Sequence, residues 1–315
     1  MTLAAVLLVG AVLVAVLAPP VLETMPFSGI RPNVVLAFWL ASMASVLFFA
    51  GSAVVVLAWP DHAPAEGVIE TIVRCFSAVS HTAAPWIGAS LVAAGLMVGA
   101  GVVARAVFFA RQQSVSRSHM QDFHRDVVAI VARTEQGHDD VMWLDHPLPM
   151  AYSVSGRPGF VVATEGLSSS LSGVERDAVL AHERAHLSGH HHLIVGVADL
   201  LARVLPMVPL FARSPRAIKT VIELAADEQA ARVTSAAVVS SALSVVADAA
   251  LPTPAFTLGL GNDMNLRLWR LRRAPHTRFS RLACCAAAAV TVTVPAVVAL
   301  TVVSVTTMTA CILLT

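Results

Sequence analysis

Apolar residues are distributed along this chain in two ways: long unbroken blocks toward both ends, and short, periodically interrupted runs in the middle. A helix needs about 20 consecutive apolar residues to cross a bilayer. Four blocks satisfy that length, at residues 3–22, 34–59, 83–110 and 282–308. The first has no Lys or Arg before it, so it reads as a retained span and not as a secretory signal. A fifth stretch, 193–211, is nearly long enough but contains Asp199, Arg203, Pro206 and Pro209, which are costly or disruptive in hydrocarbon. It reads as a helix and loop of the central domain that can dip toward the bilayer surface.

The middle of the chain reads as α+β. Helical spacing covers 120–133, and short strands are predicted at 141–144, 150–154 and 160–164, the last two joined by the turn residues Gly156-Arg157-Pro158-Gly159. Helices follow at 173–187, 217–233 and 236–250. A Pro/Gly-rich linker, 251–261, leads to a basic amphipathic helix at 262–273. The predicted fold class is an α-helical membrane protein with four spans and an inserted α+β domain. Its organisation is 1–110 for three spans, 111–281 for the domain, and 282–315 for the fourth span and a short C-terminus.

Composition supports that division. Hydrophobic residues make up 57% of the 315 positions and charged residues only 13%, against about 25% in soluble domains. Of the 41 charged residues, 34 lie between Arg111 and Arg281. Basic clusters flank the domain next to the third and fourth blocks, while the 61–81 loop carries three acids and one Arg, so the positive-inside rule places the domain in the cytoplasm and both termini outside. A net charge of +1 leaves no basic excess to neutralise phosphates, which argues against direct nucleic-acid binding. The four cysteines, Cys75, Cys284, Cys285 and Cys311, all lie outside the charged domain and form neither a disulfide framework nor a thiolate metal site.

The chemistry is concentrated in His182-Glu183-Arg184-Ala185-His186, an HExxH motif. Ser172 and Glu175 give its helix a capping-box start, and Gly189 a stop. At 100° per residue, His182 and His186 lie about 40° apart on one face, so both imidazoles can reach one zinc ion. Glu183 is rotated off that face, toward a zinc-activated water. Zinc would acidify the water and polarise a peptide carbonyl, with Glu183 as general base. With 12 His in 315 positions, the motif arises by chance in about one such sequence in eighty. A catalytic zinc takes three protein ligands. Glu223, in Ile222-Glu223-Leu224-Ala225-Ala226-Asp227-Glu228, is placed to be the third, with Asp227 on the same face to orient a ligand imidazole. A plain acidic face on an amphipathic helix is the alternative, weakened by the upstream HExxH.

HExxH, an ExxxD helix and a basic amphipathic helix before the last span together resemble the BlaR/MecR-type integral-membrane zinc metallopeptidases, gluzincins related to HtpX and the CAAX-prenyl proteases. The resemblance implies a zincin-type metallopeptidase domain, one Zn2+ per chain, and a cytoplasmic or membrane protein as substrate, such as a transcriptional repressor. It also implies an edge strand near Pro149-Met150-Ala151-Tyr152 against which substrate lies, making Ala151 and Tyr152 candidate substrate-binding residues. Tyr152 can equally be packing. Two departures stand out: only a few residues follow the fourth span, where antibiotic-sensing members carry a penicillin-binding domain, and His190-His191-His192 stands where members often have an Asp.

The histidine run reads as a polar helix exit at the membrane surface or as an adventitious metal site. The basic segment 266–273 reads as an anionic-lipid anchor with Trp269 at the interface, or as a substrate-positioning element. Two rival functions remain: HtpX-like quality control of membrane proteins, and a metal-binding sensor or scaffold without proteolysis. The intact Glu183 argues against the second, because a site kept only for binding has no need of the base.

Overall fold

The computed structural model describes residues 2–28, 30–58, 90, 93–112, 133–134, 140–156, 158–249, 257–273 and 293. Helices α1 (Thr2–Thr24) and α2 (Pro32–Ala58) pack against each other, joined through a 3-10 turn at Met25–Ser28. A further helix, α3, runs over Ala93–Gln112. By length and composition, three helices among the described residues can cross a membrane, at Ala4–Phe27, Pro32–Val56 and Ala93–Gln112. The block expected at 282–308 and nearly all of the helix expected at 120–133 lie outside the described residues. Arg133, placed at that helix's end by its sequence, instead opens a strand.

The central part combines a small sheet with helices. Strands β1 (Arg133–Thr134), β2 (Val141–Leu144), β3 (Ala151–Val154) and β4 (Phe160–Thr164) pair in the order β1-β2-β4-β3. β2 and β4 are parallel, and β3 runs antiparallel to β4 with Ala151 opposite Ala163 and Ser153 opposite Val161. That order leaves β3 at the edge among the described strands. β4 is buried along its whole length, as its continuous Phe160-Val-Val-Ala-Thr run requires.

Helices α4 (Glu165–Ser170), α5 (Gly173–Ser188), α6 (His191–Val204), α7 (Pro209–Val233), α8 (Ala236–Ala249) and α9 (Thr257–Arg272) complete the architecture. The start of α5 is the one its sequence predicts: the Glu175 carboxylate accepts from the Ser172 N–H at 2.9 Å and its hydroxyl at 2.7 Å. The stretch at 193–211 is divided between α6, a short turn and the first residues of α7, as a helix and loop.

α7 begins eight residues before the expected 217, because neither proline breaks it. Pro209 sits in the first turn, where its missing N–H costs nothing. Pro215 frees the Phe211 carbonyl, and the Ser214 hydroxyl donates to that oxygen at 3.0 Å.

One core unites the α1–α2 pair with α6 and α7. Val35 and Trp39 of α2 and Ala11 and Val14 of α1 cluster with Leu210, Phe211, Ile218, Val221 and Ile222 of α7. A second core lies under the sheet, where Leu180 of α5 meets Val141, Trp143, Val161 and Leu167. Ala178 and Ala181 pack α5 against Ala230 and Val239. α5 is thereby fixed on two sides, and its remaining face is left for chemistry.

Candidate metal centre

His182 and His186 lie one turn apart on that free face of α5, with their Nε2 atoms 3.1 Å from each other. α7 crosses beside them and brings in Glu223, whose carboxylate oxygens are 3.5 Å from His182 Nε2 and 3.6 Å from His186 Nε2. One donor atom from each of the three residues lies within 4.8 Å of the other two, an arrangement able to hold a metal ion. The three residues singled out as ligands from spacing therefore converge, although Glu223 comes from a separate helix.

Asp227, one turn beyond Glu223, is 2% exposed and places Oδ1 3.0 Å from His182 Nδ1. The spacing gave no sign of what holds Asp227 itself. Arg267 of α9 donates from Nε and Nη2 to the two Asp227 oxygens at 2.7 Å each, and its Nη1 is 3.2 Å from Glu223. The basic segment read as a lipid anchor or a substrate-positioning element thus turns one arginine inward, onto the metal-site carboxylates. Its neighbour Arg270 donates to the Pro26 and Ile30 carbonyls at 2.6 and 2.8 Å, tying α9 to the α1–α2 turn. Only Arg273 stacks over Trp269, 4.5 Å from the ring centre.

The charges reinforce this geometry. Burial alone would push His182 down, but hydrogen bonds from its ring to Asp227 and Glu223 outweigh it and bring the imidazole up to about 9. Burial pushes His186 down to about 4. Burial works to raise Glu223, yet the His182 hydrogen bond and the Arg267 charge hold its carboxyl at about 2. Asp227 is held low against its own burial by Arg267 and His182. The two carboxylates are thus balanced by Arg267 and by a second proton on His182, a proton that a metal ion bound at that ring would displace.

Glu183 is not part of that cluster. It is raised by burial, and its carboxylate accepts hydrogen bonds from the Ser153 N–H and hydroxyl on β3. Ser153, which sequence reasoning did not single out, is thus the β3 residue that meets the catalytic motif. Tyr152 packs against Val154, Phe160 and Val162 on one face of the sheet, and Ala151 against the cluster of Val141 and Leu180. Arg184, inside the motif, donates to both Asp140 oxygens at 2.6 and 2.7 Å and pins α5 to the start of β2. A cleft of about 360 Å³ opens beside the ligands, between Ser153, Leu187, Val195, Lys219 and Ile222.

The histidine run is not a uniform polar exit. His190 takes a left-handed conformation, with φ of 51°, and starts α6 in a new direction. His191 is 8% exposed, with Nδ1 3.1 Å from His186 Nδ1. Gly189 ends α5 in an ordinary right-handed conformation, so it is not required for a positive φ. A Cβ there would lie 2.4 Å from His191 Nε2, so the close approach of that ring is what requires glycine.

Residues 117–251 match the family model of Peptidase family M48. Over 99 residues the chain is 31% identical to "Plastoglobule-localized metallopeptidase 48, chloroplastic" from Arabidopsis thaliana, a match that covers 31% of this chain and 29% of that protein. The chain thus spans less than a third of the length of this curated relative. No solved structure matches it. The family match, with the two histidines and one glutamate gathered on α5 and α7, points to a metallopeptidase domain carried on apolar helices able to enter a membrane.

Proposed function

We propose that this protein is a membrane-embedded zinc metalloendopeptidase of the BlaR/MecR type, with one Zn2+ held by His182, His186 and Glu223. The carrying observation is the convergence of these donors beside a glutamate that stays out of the ligand set. Zinc at about 2.0–2.1 Å from tetrahedral ligands keeps them about 3.3 Å apart. The two imidazole nitrogens lie 3.1 Å apart, and Glu223 turns Oε2 to His182 at 3.5 Å and Oε1 to His186 at 3.6 Å, so its carboxylate faces both rings.

Zinc bound there supplies Lewis acidity, polarising a peptide carbonyl and acidifying water. Glu183 accepts the proton of the attacking water and returns it to the leaving amine. Burial raises its pKa toward neutrality, which suits a group that must first take and then give a proton. Ser153 holds the carboxylate in place from β3. As an edge strand, β3 is suited to pair with an extended substrate backbone, with Ala151 and Tyr152 alongside. The proposed substrate is a cytoplasmic or membrane protein, with a transcriptional repressor first and misassembled membrane proteins second. The domain faces the cytoplasm and both termini lie outside.

The test is Glu183→Gln in the full-length, affinity-tagged protein. Peptide cleavage should fall about 10²–10⁴-fold, while zinc content stays near one per chain. Co-purifying proteins then separate the two substrate classes. Cleavage at the wild-type rate would sink the mechanism and favour a metal-binding scaffold.

A further inference from the structure

We infer that His191 is a positioning residue for the metal ligand His186, doing for it through an imidazole what Asp227 does for His182 through a carboxylate. This rests on the zinc-centre reading above. A histidine that binds metal through Nε2 as a neutral ring carries its proton on Nδ1, and that N–H needs an acceptor to fix tautomer and ring angle. His186 points Nε2 at the metal position, 3.1 Å from His182 Nε2, and Nδ1 at His191 Nδ1, also 3.1 Å away. Two Nδ1 atoms at that distance share one proton. His186 needs it, so His191 accepts through Nδ1 and carries its own proton on Nε2.

The surrounding backbone is shaped to keep His191 there. The ring is buried, at 8% exposure. Gly189 leaves room for its Nε2 edge. His190 adopts a positive φ, which a non-glycine residue rarely does, and so turns α6 to bring His191 behind His186. His190 itself is anchored by Nδ1, 3.1 Å from the Ser188 carbonyl. The run His190-His191-His192 therefore divides its roles: the first residue makes the corner and the second supports the ligand.

The test is zinc affinity, measured by chelator competition on full-length protein in detergent, with the Co2+ absorption spectrum as a second readout of ligand geometry. His191→Phe keeps the ring volume but removes the acceptor. Affinity should drop about 10–100-fold, and the Co2+ bands should shift. His191→Asn puts an acceptor oxygen near the Nδ1 position and should restore affinity to within about threefold of wild type, whereas His191→Gln puts it near Nε2 and should not. A merely structural histidine would make Asn and Gln equivalent, and equal affinities for the two would overturn the assignment, as would wild-type affinity in His191→Phe. The Asn/Gln pair decides the matter even where the Phe variant fails to fold. His182→Ala serves as the control. If it retains tight zinc, the zinc-centre reading has failed; if it loses zinc while His191→Gln binds normally, only the positioning role has failed.

Discussion

Replacing the buried Arg267 by Met should destabilise the metal-free protein. Arg267 makes two charged hydrogen bonds to Asp227 at 2.7 Å and a third contact to Glu223 at 3.2 Å, with its side chain only 14% exposed. Hydrogen bonds to charged groups contribute about 1.5–3 kcal/mol each, and removing one partner of a buried ion pair costs about 3–5 kcal/mol. His182 still faces Asp227 at 3.0 Å and offsets part of the loss, so the lower figure, about 3 kcal/mol, is expected. For a protein of this size that lowers Tm by about 4–5 °C. The sign with pH follows from the depressed Asp227 carboxyl. Its contribution is complete above the ordinary carboxylate value and is lost as pH falls through the folded value; Arg267→Met raises that folded value, so the variant has less to lose and its gap to wild type narrows on acidification. Tryptophan fluorescence during heating of chelator-treated protein reads the shift. Adding Asp227→Asn should recover part of it, because no buried charge is then left unpaired. A Tm for Arg267→Met within about 1 °C of wild type would refute the reasoning.

Three further outcomes are expected. Glu223→Gln should remove most of the bound zinc, whereas Asp227→Ala should weaken affinity about 10–100-fold without abolishing binding; metal analysis and chelator competition separate the two roles. Hydrogen bonds from Ser172 and Ser241 hold the Glu175 carboxyl at about 2, so its stabilisation is present above pH 4.5 and fades toward pH 2; the Tm gap between wild type and Glu175→Gln should shrink on acidification, and a gap that widens would contradict the assignment. In a background without the four native cysteines, Phe27→Cys, at a residue 61% exposed, should label from the same side as Ser170→Cys and from the opposite side to a cysteine at 65, because Arg270 binds the α1–α2 turn to the domain.

The parts of the site legible in the sequence are those whose geometry lies within one helix. The four-residue step from His182 to His186, and again from Glu223 to Asp227, places each pair on one face whatever the rest of the chain does. The apolar blocks at 3–22 and 34–59 and the three strands at 141–164 were readable for the same reason, since their signals are local. What escaped depends on how elements meet. Arg267 reaches Asp227 across 40 residues, and nothing in a run of basic residues distinguishes the one that turns inward. His191 is five residues from His186, but its role depends on the corner at Gly189-His190, and no periodic pattern encodes a left-handed residue. Ser153 acts partly through its backbone N–H, which leaves no trace in side-chain type. The early start of α7 was hidden because Pro209, one of the disruptive residues of 193–211, falls in the helix's first turn, where a missing N–H is no loss.

The same contacts bear on how the site is joined to the membrane. Arg267 and Arg270 stand three residues apart on α9, so they are neighbours on its surface. One holds the carboxylates that organise the metal ligands, and the other holds two carbonyls of the turn between α1 and α2. Next to Ile30, Arg31, at the entrance to α2, lies 3.9 Å from Glu228, the residue after Asp227. Beneath both contacts, α7 buries Phe211, Ile218 and Val221 against the hairpin, and this same helix supplies Glu223. Glu223 is therefore positioned by packing against apolar helices and not by the small sheet alone. A shift of the hairpin cannot leave α7 and α9 both in place, because each is bonded or packed to it. The apolar helices are thus part of the scaffold that sets the distance between Glu223 and the two histidines of α5.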